Sequence, residues 1–111
     1  MKLEIGQCLR ENLDEADKEL NDIYKRLIGS LQNPAHLRRA QRAWLTVRDG
    51  DCRHVSSGEE GSRIGGKWYL ACAEEKTRAR ISELQKYLDQ VNSGCSQCPP
   101  VKEPERLGID K

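Results

Sequence analysis

The stretch AQRAWLTVRDGDC, Ala40 to Cys52, decides how this chain is read. Leu37, Ala40, Gln41, Trp44, Leu45 and Arg48 recur at steps of three and four, the spacing of one helix face, and Ala43 and Val47 widen the stripe. The stretch gathers a tryptophan, two arginines, aspartates and a cysteine on one helix. Three uses compete for such a set: a catalytic constellation, a helix that reads nucleic acid, and the seam of a small disulfide-stapled bundle. The helix itself spans about Pro34 to His54, since proline suits a first helical turn.

Upstream, Leu9, Leu13, Ala16, Leu20, Ile23, Tyr24, Leu27 and Leu31 fall on one helix face, while Glu11, Asp14, Glu15, Lys18 and Glu19 fill the other. That first helix should stop between Gly29 and Asn33, because Pro34 disfavours a helical Asn33. Downstream, SSGEEGSRIGG, Ser56 to Gly66, reads as a loop. A third helix is predicted from about Lys67 to about Val91, with Leu70, Ala73, Thr77, Ile81, Leu84 and Leu88 inward and Tyr69, Cys72, Arg80 and Tyr87 beside them. Nothing reads as a strand. The expected fold is all-α: a three-helix up-down-up bundle over residues 1–92, followed by an irregular Cys/Pro-containing tail over residues 93–111.

Composition narrows the function classes. The 111 residues are 36% hydrophobic and 33% charged, polar for one small domain but able to form a core. A formal net charge of +1 provides no field to concentrate on nucleic acid or an anionic membrane. A helix-turn-helix reading of RRAQRAW is disfavoured for the same reason, and by the neighbouring carboxylates. No apolar run approaches the roughly 18–20 residues of a membrane span. The start, MKLEIGQC, also lacks the apolar core of a signal peptide, so the chain is either cytoplasmic or begins downstream of an export signal.

Five cysteines favour the second option, because disulfides belong to oxidising compartments. In an antiparallel pair, Cys52 at the end of helix two lies beside Cys72 at the start of helix three. A bridge there closes a loop of about 20 residues and stabilises by about 3 kcal/mol in the chain-entropy model. Cys8 competes as a partner at the same end, and Cys95 and Cys98 leave the pairing open. Cys95-Ser-Gln-Cys98 follows a helix and precedes Pro99-Pro100, whereas a reactive CxxC opens one. A thiol-redox role would need a low thiolate pKa at Cys95. His36 and His54 have no ligand spacing to this motif, so neither metal nor cofactor is expected.

Trp44 is expected at the centre of the core, as the largest buried area on its stripe. Arg48, Asp49, Thr77 and Arg80 read as an inter-helix ion pair with hydrogen bonds that fix the register of the bundle. No nucleophile, carboxylate pair or phosphate loop accompanies them, so catalysis is not expected.

The run Ala16-Asp17-Lys18-Glu19-Leu20-Asn21 with Tyr24 and Leu27 resembles the first helix of the LprI-like family of bacterial envelope proteins. So do Ala40-Gln41-Arg42-Ala43-Trp44-Leu45, then Arg48-Asp49 and Cys52, the Gly65-Gly66 pair, Cys72, and Thr77 through Arg80 to Leu84. The resemblance covers roughly residues 7–88 and leaves out the CSQCPP tail. It implies a small helical domain, periplasmic or secreted, in a family named for a member that inhibits lysozyme. The expected partner is then a lysozyme-like glycoside hydrolase, met by Glu59, Glu60, Arg63 and Lys67 of a loop over Ser56 to Trp68. The competing expectation is an envelope adaptor that works by protein–protein contact and inhibits no hydrolase.

Overall fold

The computed structural model describes residues 2–59 and 61–93. Three helices account for almost all of them: α1 (Lys2–Ser30), α2 (Ala35–Val55) and α3 (Arg63–Asn92), with a single 3-10 turn at Ser57–Glu59 between α2 and α3. The order is up-down-up, with α1 and α3 parallel and α2 running against them. Between α1 and α2, the Asn33 side-chain oxygen accepts a hydrogen bond from the Ala35 backbone N–H at 3.2 Å, which steadies the turn beside Pro34.

The core is a seam between α1 and α3. Leu13, Ala16, Leu20, Ile23 and Leu27 are buried on α1, and Leu70, Ala73, Thr77, Arg80, Leu84 and Leu88 on α3. Both series advance in steps of three and four, so two parallel helices interlock along their length. At one end Leu20, Ile23 and Leu27 meet Leu84 and Leu88. At the other, Leu13 meets Leu70, Ala73 and Cys52.

Helix α2 departs from its expected role. Gln41 and Cys52 alone are buried on it. Leu45 is 40% exposed and Val47 56% exposed, and Ala40 and Ala43 also face outward. The physical reason is that α1 and α3 already fill one another's grooves. The third helix then lies on their edge and contributes polar contacts and a covalent bond. Trp44 is corrected accordingly: it is half-buried, packing against the outside of the Leu20–Leu88 cluster.

Cys52 and Cys72 form a disulfide between α2 and α3, with Cα atoms 5.5 Å apart. Cys8 is exposed and joins neither. Cys95, Cys98 and the rest of the expected tail from 94 onward lie outside the described residues. Because α2 buries so little, the bridge should carry much of its attachment. Its 20-residue separation corresponds to about 3 kcal/mol. The double variant Cys52→Ala/Cys72→Ala is expected to keep its helical circular dichroism at low temperature but to unfold at markedly lower urea. An unchanged midpoint would mean that the polar contacts of α2 suffice.

Candidate functional site

Arg48 stands where all three helices converge. Its Nη1 donates to Asp17 Oδ1 of α1 at 3.1 Å and to the Thr77 hydroxyl of α3 at 3.2 Å. Its Nε donates to Asp49 Oδ1 on its own helix at 3.0 Å. Asp49 Oδ1 in turn accepts from the Tyr69 hydroxyl at 3.1 Å, a second tie between α2 and α3. The planar fork of arginine makes this possible, since lysine has no rigid set of donors aimed in several directions. Thr77 is fully buried, so without Arg48 its oxygen would lose the cation that it faces.

Arg80 repeats the arrangement one level up. It is 8% exposed, its Nε donates to Gln41 Oε1 at 3.0 Å, and its Nη1 donates to Glu83 Oε1 at 2.9 Å. Between the two arginines lies Trp44, with the Arg48 guanidinium 5.5 Å and the Arg80 guanidinium 5.9 Å from its ring centroid, both within cation–π range. Arg48, Asp49, Thr77, Arg80 and Trp44 are thus brought together in one network. Gln41, Asp17 and Tyr69 complete it, and sequence spacing gives no direct signal for which α1 carboxylate is used. Arg48 is paired with Asp17 and Asp49, and Arg80 with Glu83, so the arrangement ties the three helices to one another.

The tip between α2 and α3 is the other candidate, and here the expected loop is shortened. Helix α3 begins at Arg63, four residues before the predicted Lys67, because Ser62 caps it: its hydroxyl accepts from the Gly65 N–H at 3.1 Å. The same hydroxyl donates to the Glu59 carbonyl at 2.7 Å, so cap and 3-10 turn are one unit. Gly65 and Gly66 therefore lie in the first helical turn. Gly65 is required there, because a Cβ at this position would collide with the Glu59 carbonyl oxygen. Gly61, at φ 84°, supplies the left-handed residue that the turn needs.

The expected loop residues are redistributed. The Glu59 carboxylate lies beside the cap, its Oε1 3.3 Å from Ser62 Oγ. Arg63 opens α3 and Lys67 sits half-buried in the next turn, while Glu60 and the Arg63 side chain lie outside what the structure describes. Beside the tip is a shallow recess of about 330 Å³, with Gly65, Gly66, Tyr69 and Leu70 in its lining. Arg10 of α1 and Arg53 of α2 flank it. Neither arginine stands out in the sequence, since only the fold brings the start of α1 and the end of α2 to this tip.

Burial first, and then the hydrogen bond to the Asp49 carboxylate, push the Tyr69 phenol above its ordinary value of 10.0. This residue joins the recess to the network, because its ring lines the one and its hydroxyl enters the other.

Comparison with known proteins adds a family. The family described as Lysozyme inhibitor LprI matches residues 1–84. Uncharacterized protein R02472 of Rhizobium meliloti (strain 1021) is 32% identical over 81 residues, covering 73% of this chain and 56% of its own length. Uncharacterized protein YecT of Escherichia coli (strain K12) is 26% identical over 100 residues, covering 75% of this chain and 62% of its own length. The matches thus take in less than two thirds of either relative. No solved structure matches.

Two outcomes follow from the network. Arg48→Met, which keeps the packing bulk but removes every donor, should destabilise the fold by about 2 kcal/mol through the lost charged hydrogen bonds and the lost cation–π contact. Equilibrium urea unfolding measures it, and a loss near zero would show that the network is solvated ornament. For Tyr69, the raised pKa means that its contribution is fully present below pH 10.0 and is lost as pH rises through the folded value. Tyr69→Phe should remove a phenolate absorbance transition centred above 10.0 and make the alkaline loss of stability shallower.

Proposed function

The chain belongs to the lysozyme inhibitor LprI family, and from that membership we propose that it is a non-enzymatic, periplasmic or secreted protein that binds and inhibits a lysozyme-like peptidoglycan hydrolase. The family match over residues 1–84 carries the reading, since it spans the helical unit from α1 through most of α3. The Cys52–Cys72 disulfide supports an oxidising compartment. No helix among the described residues is long and apolar enough to cross a membrane.

Glycoside hydrolases of the lysozyme type work with two carboxyl groups flanking the scissile bond in a cleft. A blocking protein needs cations on a rigid projection narrow enough to enter. The disulfide staple, the Ser62 cap and the close approach at Gly65 support the tip between α2 and α3 as that projection. Arg63 and Lys67 are the proposed cations on the projection, with Arg10 and Arg53 at its base. Glu59 and Glu60 face a cationic rim of the enzyme in this scheme. Rigidity matters because an ordered tip loses little conformational freedom on binding.

The experiment is a peptidoglycan lysis assay against several lysozyme classes, with oxidised and reduced protein. Oxidised protein is expected to slow lysis by one class, and reduction to weaken the effect. Arg63→Ala/Lys67→Ala should weaken inhibition by about tenfold or more with the fold intact, as loss of interfacial charge pairs does. Inhibition unchanged in that variant refutes the tip as the contact. No effect on any class refutes the inhibitor reading.

A further inference from the structure

We propose that the groove between α1 and α2 is a second binding site, taking an acidic amphipathic helix of a partner protein. The site is separate from the proposed inhibitory tip and does not rest on that reading. A cleft of about 370 Å³ lies between α1 and α2. Leu20, Tyr24 and Leu45 supply its apolar surface, and Arg38 and Arg42 stand on the α2 wall.

The charges of this groove are unbalanced in one place. Arg48 and Asp17, at its inner end, satisfy each other. Arg39, on the neighbouring face, is bonded to His36 at 3.0 Å. Arg38 and Arg42 have no carboxylate partner among the described residues. The α1 wall opposite them offers none, because beyond Asp17 the groove-lining positions are Leu20, Asn21 and Tyr24. Two arginines one helical turn apart repel each other, so the fold gains nothing visible from the pair. Arginine and tyrosine beside an exposed leucine are, however, the side chains that dominate protein–protein contacts.

Spacing identifies the occupant. Arg38 and Arg42 are separated by four residues, about 6 Å along the α2 axis. Two carboxylates at i and i+4 of a partner helix have the same separation. An apolar side chain at i+3 of that helix then lies next to the carboxylates, where Tyr24, Leu20 and Leu45 can receive it. Pairing is bidentate at each guanidinium, and the apolar contact fixes depth.

The test uses the full oxidised protein and a blocked helical peptide with Glu at i and i+4 and Leu at i+3 and i+7. A control peptide carries Gln in place of Glu. Backbone amide shifts in two-dimensional NMR report the contact. The expected result is saturable shifts confined to residues 17–24 and 38–48 with the Glu peptide, weakening as salt rises, and affinity at least about tenfold lower for the Gln peptide. Arg38→Glu/Arg42→Glu, checked for helix content and for the disulfide, should abolish binding of the Glu peptide and accept a Lys version instead. Absence of shifts, shifts elsewhere, equal binding of Glu and Gln peptides, or undiminished binding by the charge-reversed variant would each overturn the proposal.

Discussion

One guanidinium sets the geometry of this molecule. Arg48 holds Asp17 of α1, Asp49 of α2 and Thr77 of α3 at hydrogen-bond distance with a single planar group. The hydrophobic effect is non-directional, whereas a fork with fixed donor directions accepts few arrangements. The α1–α3 seam supplies most of the burial, but it does not by itself say where α2 must lie. Arg48, Arg80 and the tryptophan between them make that choice. The polar seam is therefore best understood as a device for specificity, a role attested for ionic groups between helices in some systems.

The same economy explains the shape of the surface. A third helix packed by oil would have closed against both neighbours. This one is held by a disulfide at one end, by Gln41–Arg80 near the other, and by Arg48 between. It leaves a groove on its α1 side and an outward face on which Ala40, Ala43 and Val47 are exposed. Stability should be graded in consequence, with α1 and α3 the last to open and α2 the first.

Much of this is legible in the residues. The three-four spacing on α1 and α3 announces both helices and nearly every buried side chain, and the antiparallel placement of α2 against α3 brings Cys52 to Cys72 as expected. Sequence and structure part where periodicity is asked to do what only packing decides. Apolar spacing on α2 looks like a core face because Leu37, Trp44 and Leu45 recur correctly, yet spacing cannot report that two other helices have already filled the core. Thus Leu45 is exposed and Trp44 sits at the edge. The start of α3 differs from expectation for a local reason. Two glycines suggest a loop, while the deciding signal is Ser62 three residues before Gly65, a serine cap over a residue that must lack a Cβ. Arg10, Arg53, Arg38 and Arg42 look like ordinary solvated charges, since only tertiary structure shows which cations find partners.

The two candidate surfaces lie at different levels of the bundle. The tip is built on the disulfide, Ser62 and Gly65, and its basic groups come from all three helices. The groove begins at Asp17 and Arg48 and extends away from the tip, toward the N-terminal half of α2. Arg48 connects them. Through Asp49 and Tyr69 it reaches the recess beside the tip, and through Asp17 it forms the inner end of the groove. The Arg48 network is thus the one element that physically touches both surfaces, with separate guanidinium nitrogens turned to Asp17 and to Asp49.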